Sequence, residues 1–464
     1  MKTFCANDQQ RFSRLSGDLN PVHLDPQAGR YSPWGKVVVH GIAQLLWLLD
    51  EWCAGRSGDI CLVALKVRFI KGLGLGEAVS LRIDADEPPV ATLSLVNDQG
   101  APVLKCRLHY RPCQANTATA LPTAAADHNA VMPRAIDETD VIGSREQLGL
   151  SIDPALLALL YPRLAVSCDR QQLAFLLNTT KYVGNVWPGA RSIYQGLEAD
   201  FADAPGGAEA VEYEIVRVDP KLSLTHVDIR CAFATGKLTA FFRPAPVPQA
   251  SLEEMATLVT PGQFGGRRAL VIGGSQGIGA AIWKLLAAGG AEVLLTYNSS
   301  EKLASEAATE ARARGLSVNC MQLDVCAPGD AAMSALREFE PTHVYYLATP
   351  FIFRGSADYF SSALFAEFNA VYIEGFYRIF QALAASAGYF LVPSSTALDS
   401  NVPDMMEYTM SKLAMEGMAR ALAARHAGVR VACPRLPRIR TEQTNSLIKV
   451  DEKSATEVAL GILG

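Results

Sequence analysis

The sequence predicts an α+β layer pair, a helix wrapped by an antiparallel sheet, in two copies, followed by an α/β doubly wound parallel sheet. Three observations predict it. Twice in the first half, a helical stretch precedes four strand-like runs. From Arg267 onward, short apolar runs alternate with helical ones, the pattern of a parallel sheet covered on both faces. At 464 residues the chain is also too long for a single core, so several domains are expected.

The first block spans residues 1–112. Gly41 opens a helix in which Ile42, Leu45, Leu46 and Leu49 recur at helical spacing. Most of its faces are apolar, so burial is expected. CLVALKVRFI, AVSLRIDAD, VATLSLVND and PVLKCRLHYR, punctuated by Gly, Pro, Asn and Asp, read as the strands. Residues 113–147, rich in Ala, Thr, Pro and Asp, have little to bury and read as a linker. The second block, 148–244, repeats the layout without repeating any motif: PALLALLYPRLAV and QQLAFLLNTTKYVG are helical, and SIYQGLEADF, AVEYEIVRVDP, LTHVDIRCAFA and KLTAFFRP are strand-like. Residues 245–265 read as a second linker, and 266–464 as the third block.

A formal net charge of -5 and no Lys/Arg run make nucleic acid an unexpected partner. No secretory signal is visible at MKTFCANDQQ, and no uncharged 18-residue apolar stretch suggests a membrane span. Ten cysteines without CxxC or metal-ligand spacing suggest reduced, buried thiols in a cytoplasmic protein.

RALVIGGSQGIGAAIWKLLAAGG reads as strand, glycine turn and helix. Gly273, Gly277 and Gly279, with Ser275 and Ile278 between them, allow a tight turn and close approach to a diphosphate, which the helix N-terminus would attract. A tight turn without ligand is the competing reading. The next strand, AEVLLTYNSS, carries no Asp or Glu at Thr296 or Tyr297. A carboxylate there would repel a 2′-phosphate, so its absence permits NADP, with Asn298, Ser299 and Ser300 as candidate phosphate ligands. The third strand ends in Leu323-Asp324-Val325, where Asp324 is placed to meet the adenine.

Downstream, Tyr408 and Lys412 form Y-x-x-x-K, which places both on one helix face, and Ser395 lies thirteen residues before Tyr408. With the glycine turn, this set resembles the short-chain dehydrogenase/reductase family over nearly all of Arg267–Gly464. The resemblance implies a Rossmann-type domain that binds NADPH and reduces a 3-oxoacyl thioester. Tyr408 would give the proton, Lys412 would lower the phenol pKa and hold the nicotinamide ribose, and Ser395 would hold the carbonyl oxygen. Ala348 and Thr441 would also meet the cofactor. This sequence departs from the family's pattern in three places. Leu347-Ala348-Thr349-Pro350 stands for N-N-A-G, Tyr372 takes the place of the relay Asn with Asn369 nearly a turn earlier, and Arg438 replaces a Gly after the sixth strand. The family's last strand is expected to be missing after ATEVALGILG, which puts the usual tetramer in doubt and leaves a homodimer as the expected assembly.

In SGDLNPVHLDP, Asp18 and His23 flank the turn-forming Asn20-Pro21 pair. An acid and an imidazole this close can share one water, or they can be an ordinary polar turn. With V-V-V-H-G, the stretch from Phe12 to Gly41 resembles the MaoC-like (R)-specific enoyl-thioester hydratases of hot-dog fold. By that resemblance Asp18 and His23 add or remove water, Asn20 shapes the loop, and the Gly41 N–H at the helix start holds the thioester oxygen. A metal site from Asp18, His23 and His40 is the lesser reading, because His40 is expected to position the helix, and no metal is expected. The second block has no such pair. YVGNVWPGARSIYQGLEADF resembles a second hot dog that completes a double hot dog without chemistry of its own. The substrate would arrive on an acyl carrier protein or coenzyme A.

Overall fold

Alternation of buried and exposed side chains shapes the first half into a sheet. Strand β1 is Lys2–Thr3, β2 Asp59–Phe69, β3 Ala78–Glu87, β4 Val90–Asn97 and β5 Pro102–Cys113. The second set is β6 Arg145–Gly149, β7 Ser192–Phe201, β8 Ala210–Asp219, β9 Leu224–Cys231 and β10 Ala234–Phe242. In this computed structural model the two sets form one ten-stranded sheet, in the order β1-β3-β4-β5-β2-β7-β10-β9-β8-β6. The seam is antiparallel β2–β7, with Ala64 opposite Asp200 and Arg68 opposite Gly196. The model describes all residues except 31, 57, 114–120, 123–131, 135–140, 203–208, 244–246, 358, 401 and 446–449.

Each set of strands carries a buried helix. Helix Gly41–Cys53 buries Ile42, Leu45, Leu46, Leu48, Leu49 and Trp52. Helix Arg170–Lys181 is N-capped by Asp169, which accepts from the Gln171 and Gln172 amides, and continues as a π-helical turn over Tyr182–Val186. Both helices share one continuous core with residues of both strand sets.

Much of the expected linker 113–147 lies outside the described residues. Its described end is not a linker, because Arg145–Gly149 pairs with β8. Pro122 and Arg134 are also tied down, the first accepting from the Ile152 amide and the second donating its amide to Asn185 O. The stretch 245–265 likewise contains a helix, Leu252–Ala256, closed by a Ser251/Glu254 capping box. Leu252 and Met255 are buried, and two apolar anchors in a polar stretch are too few to show in composition.

The cysteines depart from expectation. Cys61 and Cys113 form a disulfide across β2 and β5, with Cα atoms 5.8 Å apart. Adjacent antiparallel strands bring the two within bonding range, whereas a separation of 52 residues gives no sequence signal. The other eight are free, among them buried Cys53, Cys106 and Cys168.

The chain divides into two compact units, residues 1–243 and residues 247–445 with 450–464. In the second, β11 is Arg268–Ile272, β12 Glu292–Tyr297, β13 Val318–Gln322, β14 His343–Tyr346, β15 Tyr389–Leu391, β16 Ser394–Ser395 and β17 Arg430–Ala432. A six-stranded parallel sheet runs β13-β12-β11-β14-β15-β17. Strand order reverses between β11 and β14, which opens a crevice at their carboxyl ends. No seventh strand joins this sheet among the described residues. Lys453–Ser454 pairs with Ile439–Arg440, and helix Ala455–Leu463 packs on helix Gly277–Ala288. No helix of the described residues is long and apolar enough to cross a membrane.

Candidate active sites

The loop after helix Ala6–Ser16 brings Asp18 and His23 together. Gly17 ends that helix at φ 74, a conformation that favours glycine. Asn20 then caps the short 3-10 turn Pro21–His23 by accepting from the Val22 amide. His23 faces Val38 O through Nδ1 at 2.8 Å, which assigns the proton to Nδ1 and leaves Nε2 as acceptor. Its ring stacks on that of His40, with centroids 3.8 Å apart. His40 Nε2 lies 3.9 Å from Asp18 Oδ2, and its Nδ1 is held by Gln9 Oε1 at 2.7 Å. Gly41, next in the chain, is the first residue of the central helix, so its N–H has no acceptor within the helix. A Cβ there would meet the Phe69 ring at 2.9 Å, which explains glycine at this tip.

The second set of elements closes over this loop. Thr180 Oγ1 donates to Asp18 Oδ2 at 2.7 Å, and the Asn20 amide donates to Oδ1 at 3.0 Å. Asn185 grips the loop backbone at both edges, accepting from the Leu19 amide at 2.9 Å and donating to Gly17 O at 2.6 Å. Asn20 Nδ2 donates to Gly189 O and to Ser192 Oγ. A Cβ at Gly184 would overlap the Asp18 carboxylate. Burial raises the Asp18 pKa, against the pull of His23, Thr180 and the Asn20 amide. Burial lowers that of His23, opposed by Asp18, and takes that of His40 well below the usual imidazole range. Ligand atoms of Asp18, His23 and His40 all lie within 4.8 Å of one another, the closeness that the lesser reading, a metal site, would need.

In the second unit the glycine turn follows β11, as expected. Gly273 has φ 83, and a Cβ there would meet Ala348 N at 2.9 Å, so the turn sits at the strand-order reversal. Gly277, at φ 60, faces Thr441, and a Cβ at Gly279 would overlap Gly273 O. Helix Gly277–Ala288 has no side-chain cap, so Ser275 and Ile278 flank open N–H groups suited to a diphosphate. The cradle therefore fits a dinucleotide. Asp324 is exposed just beyond β13, where it accepts from the Cys326 amide at 2.9 Å, with Val325 buried beside it. Asn298 and Ser299 follow β12, which ends without a carboxylate.

Tyr408 and Lys412 share the inner face of helix Met406–Arg425, and both are buried. Tyr408 bonds to Ser395; burial raises its pKa and that bond opposes the rise. Lys412 Nζ donates to Pro393 O at 2.8 Å and sits 4.0 Å from the Tyr372 ring centre. Burial brings its pKa down to about 7. Tyr372 lies in a π-helical turn, and its hydroxyl bonds Thr349 Oγ1 at 2.6 Å. Asn369 Oδ1 is buried without a hydrogen-bond partner among the described residues.

Comparisons with known proteins assign each of the two regions to a family. Residues 1–87 match the family model of the MaoC like domain, and residues 267–451 that of the short chain dehydrogenases. The chain joins a MaoC-like domain to a short-chain dehydrogenase. The dehydrogenase part is 30% identical over 174 residues to L-rhamnose 1-dehydrogenase (NADP(+)) of Thermoplasma acidophilum, covering 34% of this chain and 66% of that protein. It is also 30% identical over 174 residues to a cyclic-di-GMP-binding biofilm dispersal mediator protein of Escherichia coli, covering 35% of this chain and 68% of that one. Among solved structures, a short-chain dehydrogenase/reductase from Serratia marcescens is 24% identical, with 43% of this chain and 90% of that one covered and a TM-score of 0.38. An alcohol dehydrogenase from Thermococcus sibiricus, complexed with 5-hydroxy-NADP, is 24% identical, with 42% and 88% covered and a TM-score of 0.36.

In the MaoC-like domain, sequence reasoning named Asp18, His23, Asn20 and Gly41 but not the groups that hold them. Thr180, Gly184 and Asn185 stand more than 160 residues away from the loop. Gly184 and Asn185 sit within the YVGNVWPGA stretch, where only a family likeness drew attention. In the dehydrogenase domain, Tyr372 was placed by register, but its contact with Lys412 had no signal in sequence.

Proposed function

We propose that this protein acts twice on acyl thioesters. It reduces a 3-oxoacyl thioester with NADPH, then removes water from the (R)-3-hydroxyacyl product to give a 2-enoyl thioester, as fatty-acid or polyketide-like synthesis requires. The carrier is coenzyme A or an acyl carrier protein, and consecutive steps in one chain raise the local concentration of the intermediate. The first 243 residues are read as a double hot dog whose second copy carries no catalytic pair.

The observation that carries this reading is the meeting of buried Asp18 with His23 within 4.8 Å, beside His40 and the helix that Gly41 opens. Dehydration takes a proton from the α-carbon and gives one to the departing hydroxyl. A pair holding one transferable proton can do both: one member accepts as the other donates, and transfer between them resets the site. The Gly41 N–H faces the charge that develops on the thioester oxygen. In the dehydrogenase domain, NADPH supplies the hydride when bound. Tyr408 gives its proton to the carbonyl oxygen, Ser395 holds that oxygen, and the Lys412 ammonium favours the phenolate that remains.

A second reading keeps only the dehydratase active, with the dehydrogenase domain as a nucleotide-binding scaffold. The Tyr372 ring over Lys412 favours it. One experiment separates the readings. A 3-oxoacyl thioester is incubated with NADPH and wild-type protein, Tyr408→Phe or His23→Ala, and the acyl mass is followed. The expected products are the enoyl ester, unreacted 3-oxo ester and accumulated 3-hydroxy ester, respectively. Wild-type protein that dehydrates a supplied 3-hydroxy ester but leaves the 3-oxo ester intact selects the scaffold reading. Dehydration undiminished in His23→Ala overturns the assignment of the pair.

A further inference from the structure

We propose that Thr180, from the half of the double sheet without a catalytic pair, is a positioning residue that holds Asp18 in its reactive ionisation state, so that the dehydratase site is built from both halves. This rests on the dehydratase reading above.

Asp18 is buried, and a buried carboxylate loses hydration that something must replace. Its two oxygens are served separately. The Asn20 amide, from the loop itself, bonds Oδ1 at 3.0 Å; the Thr180 hydroxyl bonds Oδ2 at 2.7 Å. Thr180 is therefore the hydroxyl donor to this acid from outside the loop, and it is itself 3% exposed. It stands two residues before the π-helical Tyr182–Val186. The wider turn brings Gly184 against the carboxylate and sets Asn185 across the loop backbone. Three groups from one short segment thus converge on one loop.

The charged and titratable groups around Asp18 are His23 in the loop, His40 at the central helix start, Lys181 beside Gly17, and Arg243 just after β10, whose charge reaches His23. Deleting the Thr180 hydroxyl removes stabilisation from the charged form alone, so the carboxyl takes up its proton at higher pH. A pair that must carry one proton then gains its second proton sooner, and the acid limb of the rate profile moves upward.

The test measures hydration of crotonyl-coenzyme A against pH for wild type, Thr180→Val, Thr180→Ala and Thr180→Ser, with thermal melting of each. Valine and alanine are expected to lower kcat by about ten- to a hundredfold, with KM within about twofold, and to raise the acid limb by about one pH unit. Serine is expected to retain the wild-type limb. Alanine keeps the test open should the second valine methyl prevent folding. An active valine or alanine variant whose limb coincides with that of wild type overturns the proposal, as does serine behaving like alanine. Wild-type protein without hydratase activity overturns the dehydratase reading instead.

Discussion

The two candidate sites bury charge in opposite ways. At Asp18 the lost hydration is replaced in part by two hydrogen bonds and a nearby imidazole. At Lys412 the ammonium meets one backbone carbonyl, a methionine sulfur at 3.9 Å and the face of Tyr372. An aromatic face offsets little of an ammonium's hydration. The comparison teaches that a buried ion keeps its charge at neutral pH only as far as its neighbours are oriented toward it. The acid is enclosed by polar donors, whereas the lysine sits at the edge of neutrality.

The largest expected effect tests the enclosed acid. Asp18→Asn is expected to lower crotonyl-thioester hydration by about a thousandfold without lowering the melting temperature, measured by absorbance at saturating substrate. A Gly184→Ala variant should lose about a hundredfold, because the added methyl shifts the carboxylate out of place but leaves its acid–base chemistry, which Asp18→Asn removes. If Gly184→Ala is as active as wild type, the π-turn is not a fixed wall of the site.

The lysine sharpens the contrast through pH. Its pKa of about 7 lies below the usual 10.5, so Lys412 is charged below pH 7 and neutral above it. Reductase activity that needs the ammonium is expected to fall as pH rises through about 7, read from NADPH oxidation with a 3-oxoacyl thioester. Stability runs the other way. The unfolded chain holds more protons between about pH 7 and 10.5, so this lysine costs stability fully below pH 7 and progressively less above it. Lys412→Met is therefore expected to raise stability at pH 6 by on the order of 2 kcal/mol while removing reductase activity.

A smaller effect concerns the support behind the same helix. Arg435 forks onto Glu416, with Nε at 2.7 Å and Nη2 at 2.9 Å, and also pairs with Asp399. The bond to Arg435 holds the Glu416 pKa down to about 2, from a usual 4.5. Its stabilisation is full above pH 4.5 and is lost as pH falls through 2. Glu416→Gln is expected to cost about 1 kcal/mol at pH 7 in urea titration, and less at pH 3.

The chemistry was legible wherever a local turn creates it. Asp18 and His23 flank Asn20-Pro21, Gly273 needs a left-handed backbone, and Tyr408 and Lys412 lie four residues apart on one helix. The helix-then-strands rhythm of the first half was legible for the same reason, since burial alternates over neighbouring residues. Groups that act from a distance were not. Thr180 looks like any helical threonine, and Cys61 and Cys113 look like two scattered thiols. Arg145–Gly149 and Leu252–Ala256 were read as linker because short elements are held by their docking sites rather than by their own pattern.

The sequence by itself determined which functional groups exist and which local turns and helix faces present them, because those depend on φ, ψ and spacing over a few residues. Tertiary structure alone decided that Thr180 and Asn185 close over the Asp18 loop and that Tyr372 covers Lys412. Those contacts set how each buried charge is solvated, and solvation depends on what the fold brings near, not on what lies next in the chain.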